Sequence, residues 1–114
     1  MKKLQGILVL FLSVLSLQAH GYGKANSFEV VQVRVDASGK GYIKFASALT
    51  VSPPSCGNSN PRSLAFNTNT KGGAAIMALA LTAQATEKKI WAIGTNTCSI
   101  YGTVESYSWG YMLD

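Results

Sequence analysis

The sequence predicts a β-rich α+β domain in which a single helix lies between the third and fourth of five strands. Three observations carry this. Residues 28–35 alternate apolar and polar side chains with a period of two. Residues 74–86 form an Ala-rich, charge-free run with helical propensity. Turn-forming Gly, Pro, Asn and Ser clusters divide the remaining chain into short strand-length pieces.

The first nineteen residues stand apart. Lys2 and Lys3 precede an apolar run over residues 7–17, and Leu17-Gln18-Ala19 offers a small residue for cleavage, the pattern of a secretory signal peptide over residues 1–19. The apolar run falls well short of the roughly 20 residues a membrane-spanning helix needs, so no stable membrane insertion is expected. Cleavage after Gly21 is the alternative to cleavage after Ala19. The 114-residue chain has a formal charge of +5. Loss of two leader lysines leaves eight basic against five acidic residues, a mild +3. Such a balance, with lysines dispersed along the chain, makes no phosphate track, and no nucleic-acid partner is expected.

Residues 20–27, Gly-rich and polar, read as an N-terminal arm, and residues 28–114 as one domain. Within it Val31, Val33 and Val35 alternate with Gln32 and Arg34. Residues 36–41 make a turn, and residues 42–49 resume the alternation with Ile43, Phe45 and Leu49 on one side and Lys44 on the other. Together these form a β-hairpin. Residues 51–62 hold all three prolines and read as a loop. Residues 63–67 form a short third strand, and Thr68, Asn69 and Thr70 offer caps for the helix at 73–86. Glu87, Lys88 and Lys89 end that helix, the lysines suiting its negative pole. Residues 90–93 read as the fourth strand. Residues 98–101 and 103–109 read as one strand bent at Gly102, or as two short ones.

Strand, strand, strand, helix, strand, strand is the order of a five-stranded OB-like barrel, whose helix plugs one end. An open, curved antiparallel sheet with one helix across it fits the same string. Cys56 and Cys98 are the only cysteines, and a secreted chain meets an oxidising compartment, so they are expected to form a disulfide.

Residues 63–109 carry a resemblance: Leu64-Ala65-Phe66-Asn67, the Gly-Gly-led Ala-rich helix, Lys89-Ile90-Trp91-Ala92-Ile93-Gly94-Thr95, Cys98, and Tyr101-Gly102-Thr103-Val104-Glu105-Ser106. The stretch resembles small secreted proteins of gammaproteobacteria. Its element order is similar to that of receptor-binding subunits of pentameric bacterial toxins, especially the subtilase-cytotoxin type. The resemblance implies an OB-type fold, ring assembly around the helix and glycan binding by the barrel face. The cysteine placement differs from those subunits, and none of their sugar-contacting residues maps onto this chain.

Few residues suit catalysis or metal binding. His20 is the single histidine, so an N-terminal copper site would lack its second imidazole, and neither metal nor cofactor is expected. The acids Glu29, Asp36, Glu87, Glu105 and Asp114 are scattered and give no sign of a paired-carboxylate site. The candidate ligand-binding residues are aromatic: Tyr101, Tyr107, Trp109 and Tyr111, with Glu105 among them. Alternation places Tyr107, Trp109 and Tyr111 on one strand face, where they complete the core, meet a partner or stack on a ligand. The expected function is a non-catalytic secreted or periplasmic binding or assembly module with a glycan or protein partner. A helix apolar on most faces also suits contact with further copies of the chain. A periplasmic inhibitor or envelope protein acting on a protein partner is the alternative, and a small secreted enzyme is the third reading.

Overall fold

The computed structural model describes residues 21–114; the signal peptide over 1–19 and His20 lie outside the described residues. The elements are β1 (Gly23–Val35), β2 (Lys40–Phe45), β3 (Thr50–Val51), β4 (Ser63–Asn67), α1 (Lys71–Thr86), β5 (Lys89–Gly94) and β6 (Glu105–Met112). β1 pairs with β2, β2 with β4, β4 with β6, β6 with β5 and β5 back with β1. Five strands thus close into a ring of the expected OB-like order, antiparallel except between β4 and β6. The parallel pair arises because α1 and β5 intervene before the chain returns beside β4. The sixth strand, β3, is a two-residue addition to the start of β1. Its second residue, Val51, falls inside the Pro-rich stretch 51–62 read as loop.

Inside the ring lie Ala25, Val30, Ile43, Phe45, Leu64, Phe66, Ile90, Ala92 and Tyr107. α1 covers this core with Ala80 and Ala83, fully buried, and with Ile76, Met77 and Leu79 packed behind them. Alanine at the contact lets the helix backbone approach the strands, and Gly73 takes this furthest: a Cβ there would stand 1.7 Å from the Asn67 carbonyl oxygen. Of the three expected caps, Thr70 serves, its Oγ1 accepting from the Gly73 N–H at 2.9 Å. At the other end Glu87 takes the left-handed conformation (φ 58°), and its N–H bonds the carbonyls of Ala83 and Gln84.

Four expectations need correction. The arm over residues 20–27 is strand from Gly23 onward, because those residues pair with β5 on one side and β3 on the other. In the following segment Val33 packs on the core, but the hairpin tip runs past it, leaving Val35 52% exposed. Val31 sits at a register shift and is 47% exposed. Residues 98–101 are turn, not strand. Cys98 is bonded there to Cys56, in a 3-10 turn at Ser55–Gly57, forming the expected disulfide.

Candidate ligand-binding surfaces

The candidate residues of β6 do not share one face. Ile93 lies opposite Trp109, yet Gly94 lies opposite Tyr107, so Ser108 is an extra residue on β6. This bulge turns Tyr107 into the barrel and leaves Trp109 and Tyr111 outside, 53% and 48% exposed. Gly110 makes room for the Tyr107 ring, since a Cβ there would come within 2.7 Å of the phenol oxygen. Burial pushes the Tyr107 phenol above its ordinary pKa.

Outside, a third ring joins the pair. On β5, Ile90, Ala92 and Gly94 point inward, so Trp91 points outward, opposite Tyr111. Trp91 and Tyr111 stack with centroids 5.4 Å apart and planes 14° apart. Trp109 leans on Trp91 at 5.0 Å and 48°. From β1 the Lys24 ammonium lies 5.2 Å from the Trp91 ring centre. Two grooves share Ser108, and Trp109 lines the first of them. The first, apolar and of about 400 Å³, runs against α1 and is lined by Ala75, Ile76, Leu79 and Tyr107. The other, of about 630 Å³, is lined by Tyr22, Thr95, Asn96 and Ser108. Trp91 and Lys24 were not among the candidate residues; the alternation of residues 89–94 is a signal for Trp91, whereas Lys24 reaches the ring only through the pairing of β1 with β5.

Glu105 is not a surface group. It is 1% exposed, and among the described residues it forms no ion pair. Its carboxylate accepts from the Gly23 N–H at 2.9 and 3.0 Å and from the Asn96 N–H at 3.0 Å. A Cβ at Gly23 or Gly94 would fall 2.3 or 2.1 Å from the carboxylate oxygens, so both glycines exist to admit it. Glu105 therefore ties the start of β1 and the loop after β5 to β6, and it is removed from the ligand-binding candidates.

Tyr101 lies away from the β6 aromatics. Residues 95–104 fold back over β6, where the Ile100 N–H meets Ser106 Oγ at 3.3 Å, and they carry Tyr101 to the hairpin. There it meets Tyr42 edge to face at 5.3 Å and donates to Asp36 at 2.5 Å. Arg34 bonds Asp36 at 2.8 Å, and its guanidinium lies 5.5 and 5.8 Å from the Tyr42 and Tyr101 ring centres. The Tyr101 hydroxyl and Arg34 hold the Asp36 carboxyl below the usual carboxylate range, and the same hydrogen bond, with burial, raises the Tyr101 phenol. A groove of about 370 Å³ beside Tyr101 is lined by Asp36, Ser38, Lys40 and Ile100. Another of about 190 Å³ beyond Tyr42 is lined by Lys44, Ser59, Asn60 and Arg62.

Among the described residues no three His, Cys, Asp or Glu side chains converge as metal ligands would. No described helix is long and apolar enough to cross a membrane.

Comparison with known families, with curated proteins and with solved structures finds no match.

Proposed function

We propose that this protein is a non-catalytic secreted or periplasmic binding module that holds a sugar chain against Trp91, Trp109 and Tyr111. One observation carries the reading: two of these large rings stay about half exposed, 53% and 48%, in a domain small enough to need its apolar surface inside. Rings of this kind offer apolar faces to the C–H faces of a sugar, and Tyr22, Thr95, Asn96 and Ser108 in the adjoining groove offer hydrogen bonds to its hydroxyls. The glycan reading agrees with the resemblance to toxin receptor-binding subunits. The extracytoplasmic address is supported by the leader pattern over residues 1–19 and by the disulfide. The absence of catalysis is supported by the state of two acids: Glu105 is bound to backbone amides and Asp36 to Arg34 and Tyr101.

A glycan array probed with the wild-type chain and with Trp109→Ala tests this. Binding that falls at least tenfold in the variant is expected; no binding to any glycan rejects the proposal. The apolar groove along α1 favours a second reading, a protein partner of the inhibitor or envelope class, because aromatic anchors beside a slot are typical of such contacts. Ala75→Asp, exposed in the same groove, separates the two, abolishing a protein contact while sparing sugar binding. The outward face of α1, with Ala74, Ala75, Ala78, Leu81 and Ala85, carries no charge beyond Lys71 in its first turn, which suits assembly of copies. Light scattering across a concentration series checks this, and a monomer throughout removes the ring.

A further inference from the structure

We infer that the outer face of β2, on a different wall of the barrel from Trp109, is a second site, for an acidic polysaccharide held by Lys40, Lys44 and Arg62. On β2, Gly41, Ile43 and Phe45 face inward, so Lys40, Tyr42 and Lys44 stand in one outward row. Alternate strand residues are about 7 Å apart, which sets the two lysines about 14 Å apart on either side of Tyr42. Arg62 joins Lys44 in one groove, and Lys40 stands in the other. Dispersed in sequence, these cations are gathered by the fold.

Their charge is not cancelled locally. Among the described residues the one ion pair is Arg34 with Asp36. Asp36, the acid in the groove with Lys40, is further occupied by Tyr101, and no ion pair among the described residues engages Lys40, Lys44 or Arg62. The support beneath them is fixed in advance. Arg34 lies over Tyr42 and Tyr101, and the two rings meet edge to face, forming a ridge between the grooves.

A sugar polymer fits this strip better than a nucleic acid does. Binding of single strands relies on aromatic faces free to stack on bases. Here the Tyr42 ring is met by the Tyr101 ring and by Arg34. The remaining lining, Ser38, Ser59 and Asn60, supplies hydrogen bonds suited to hydroxyls. The disulfide also suits an oxidising compartment, where acidic glycans are met.

Titration of the full chain with polygalacturonate, heparin, neutral dextran and an oligothymidylate tests the inference. At least one of the two acidic polysaccharides is expected to bind, with affinity falling about 20-fold between 50 and 200 mM salt for roughly three charges engaged. Polygalacturonate alone assigns a carboxylate, and heparin alone a sulfate. Lys40→Gln/Lys44→Gln/Arg62→Gln is expected to lose at least tenfold and to flatten the salt dependence. Lys44→Glu, a milder second variant, should lose at least fivefold, and Lys71→Gln, which removes an exposed charge from α1 instead, should bind as the wild type does. The inference is overturned if neither polysaccharide binds at low salt, if the folded triple variant binds unchanged, if Lys71→Gln abolishes the binding, or if the oligothymidylate binds as tightly.

Discussion

Replacing both Cys56 and Cys98 by serine should remove about 4 kcal/mol of stability. The two cysteines are 42 residues apart. Closing a loop of that length lowers the entropy of the unfolded chain by about 13 cal/mol/K, or about 4 kcal/mol at 25 °C. Cys56 is exposed and Cys98 half-buried, so serine leaves little void and the effect acts through the unfolded state. A domain of this size has an unfolding entropy near 0.2 kcal/mol/K, which converts the loss into a fall in Tm of roughly 20 °C. Calorimetry of the double variant beside the oxidised wild type reads this directly. Amide exchange should also quicken across residues 95–104, which Cys98 anchors. A fall in Tm of less than about 5 °C would refute the reasoning, since the loop constraint would then be supplied by contacts such as the Asn60 side chain on the Thr103 carbonyl.

Glu105→Ala leaves the Gly23 and Asn96 N–H groups without their acceptor and should cost about 3 kcal/mol in urea unfolding; a loss under about 1 kcal/mol would show that water replaces the carboxylate. Gly73→Ala drives a methyl into the Asn67 carbonyl and should cost about 3 kcal/mol, whereas Gly72→Ala meets nothing within 4 Å and should stabilise by about 0.5 kcal/mol. Equal effects at the two positions would contradict the packing described for α1. Tyr101→Phe should let the Asp36 carboxyl climb back toward its ordinary value near 4, readable by carboxyl NMR titration. Because the folded pKa of Asp36 is depressed, its contribution is present above the ordinary carboxylate pKa and is lost as pH falls through the folded value. The raised Tyr101 phenol acts in reverse: its contribution is present below about 10 and is lost as pH rises through the folded value. An unchanged acid limb in Tyr101→Phe would count against the Asp36 contact.

The elements that could be read from sequence are those whose signal is local. Residues 63–67, the hairpin and the helix show their period and caps within a few residues. What escaped depends on partners far along the chain. Gly23-Lys24-Ala25-Asn26-Ser27 looks like a polar arm until β5 and β3 supply its hydrogen bonds. Glu105 looks like a surface acid because its partners are backbone amides 82 and 9 residues away. The bulge at Ser108 flips Tyr107 inward, and a register shift of this kind leaves no mark in a strict alternation. Of the five candidate binding residues, Trp109 and Tyr111 lie together, Tyr101 joins the other surface, and Tyr107 and Glu105 belong to the interior.

β1 pairs with three strands, and it bends where Ser27 adopts a left-handed conformation (φ 64°) and again at the shift near Val31. Its first half brings Lys24 to the Trp91 cluster and its second half brings Arg34 to Tyr42. One continuous segment thus borders both surfaces and sets the angle between them. With both surfaces occupied, a single copy would bridge two polymers at a fixed divergence, so that mixing chain and ligand near equal numbers of sites would build a network, and an excess of either would dissolve it.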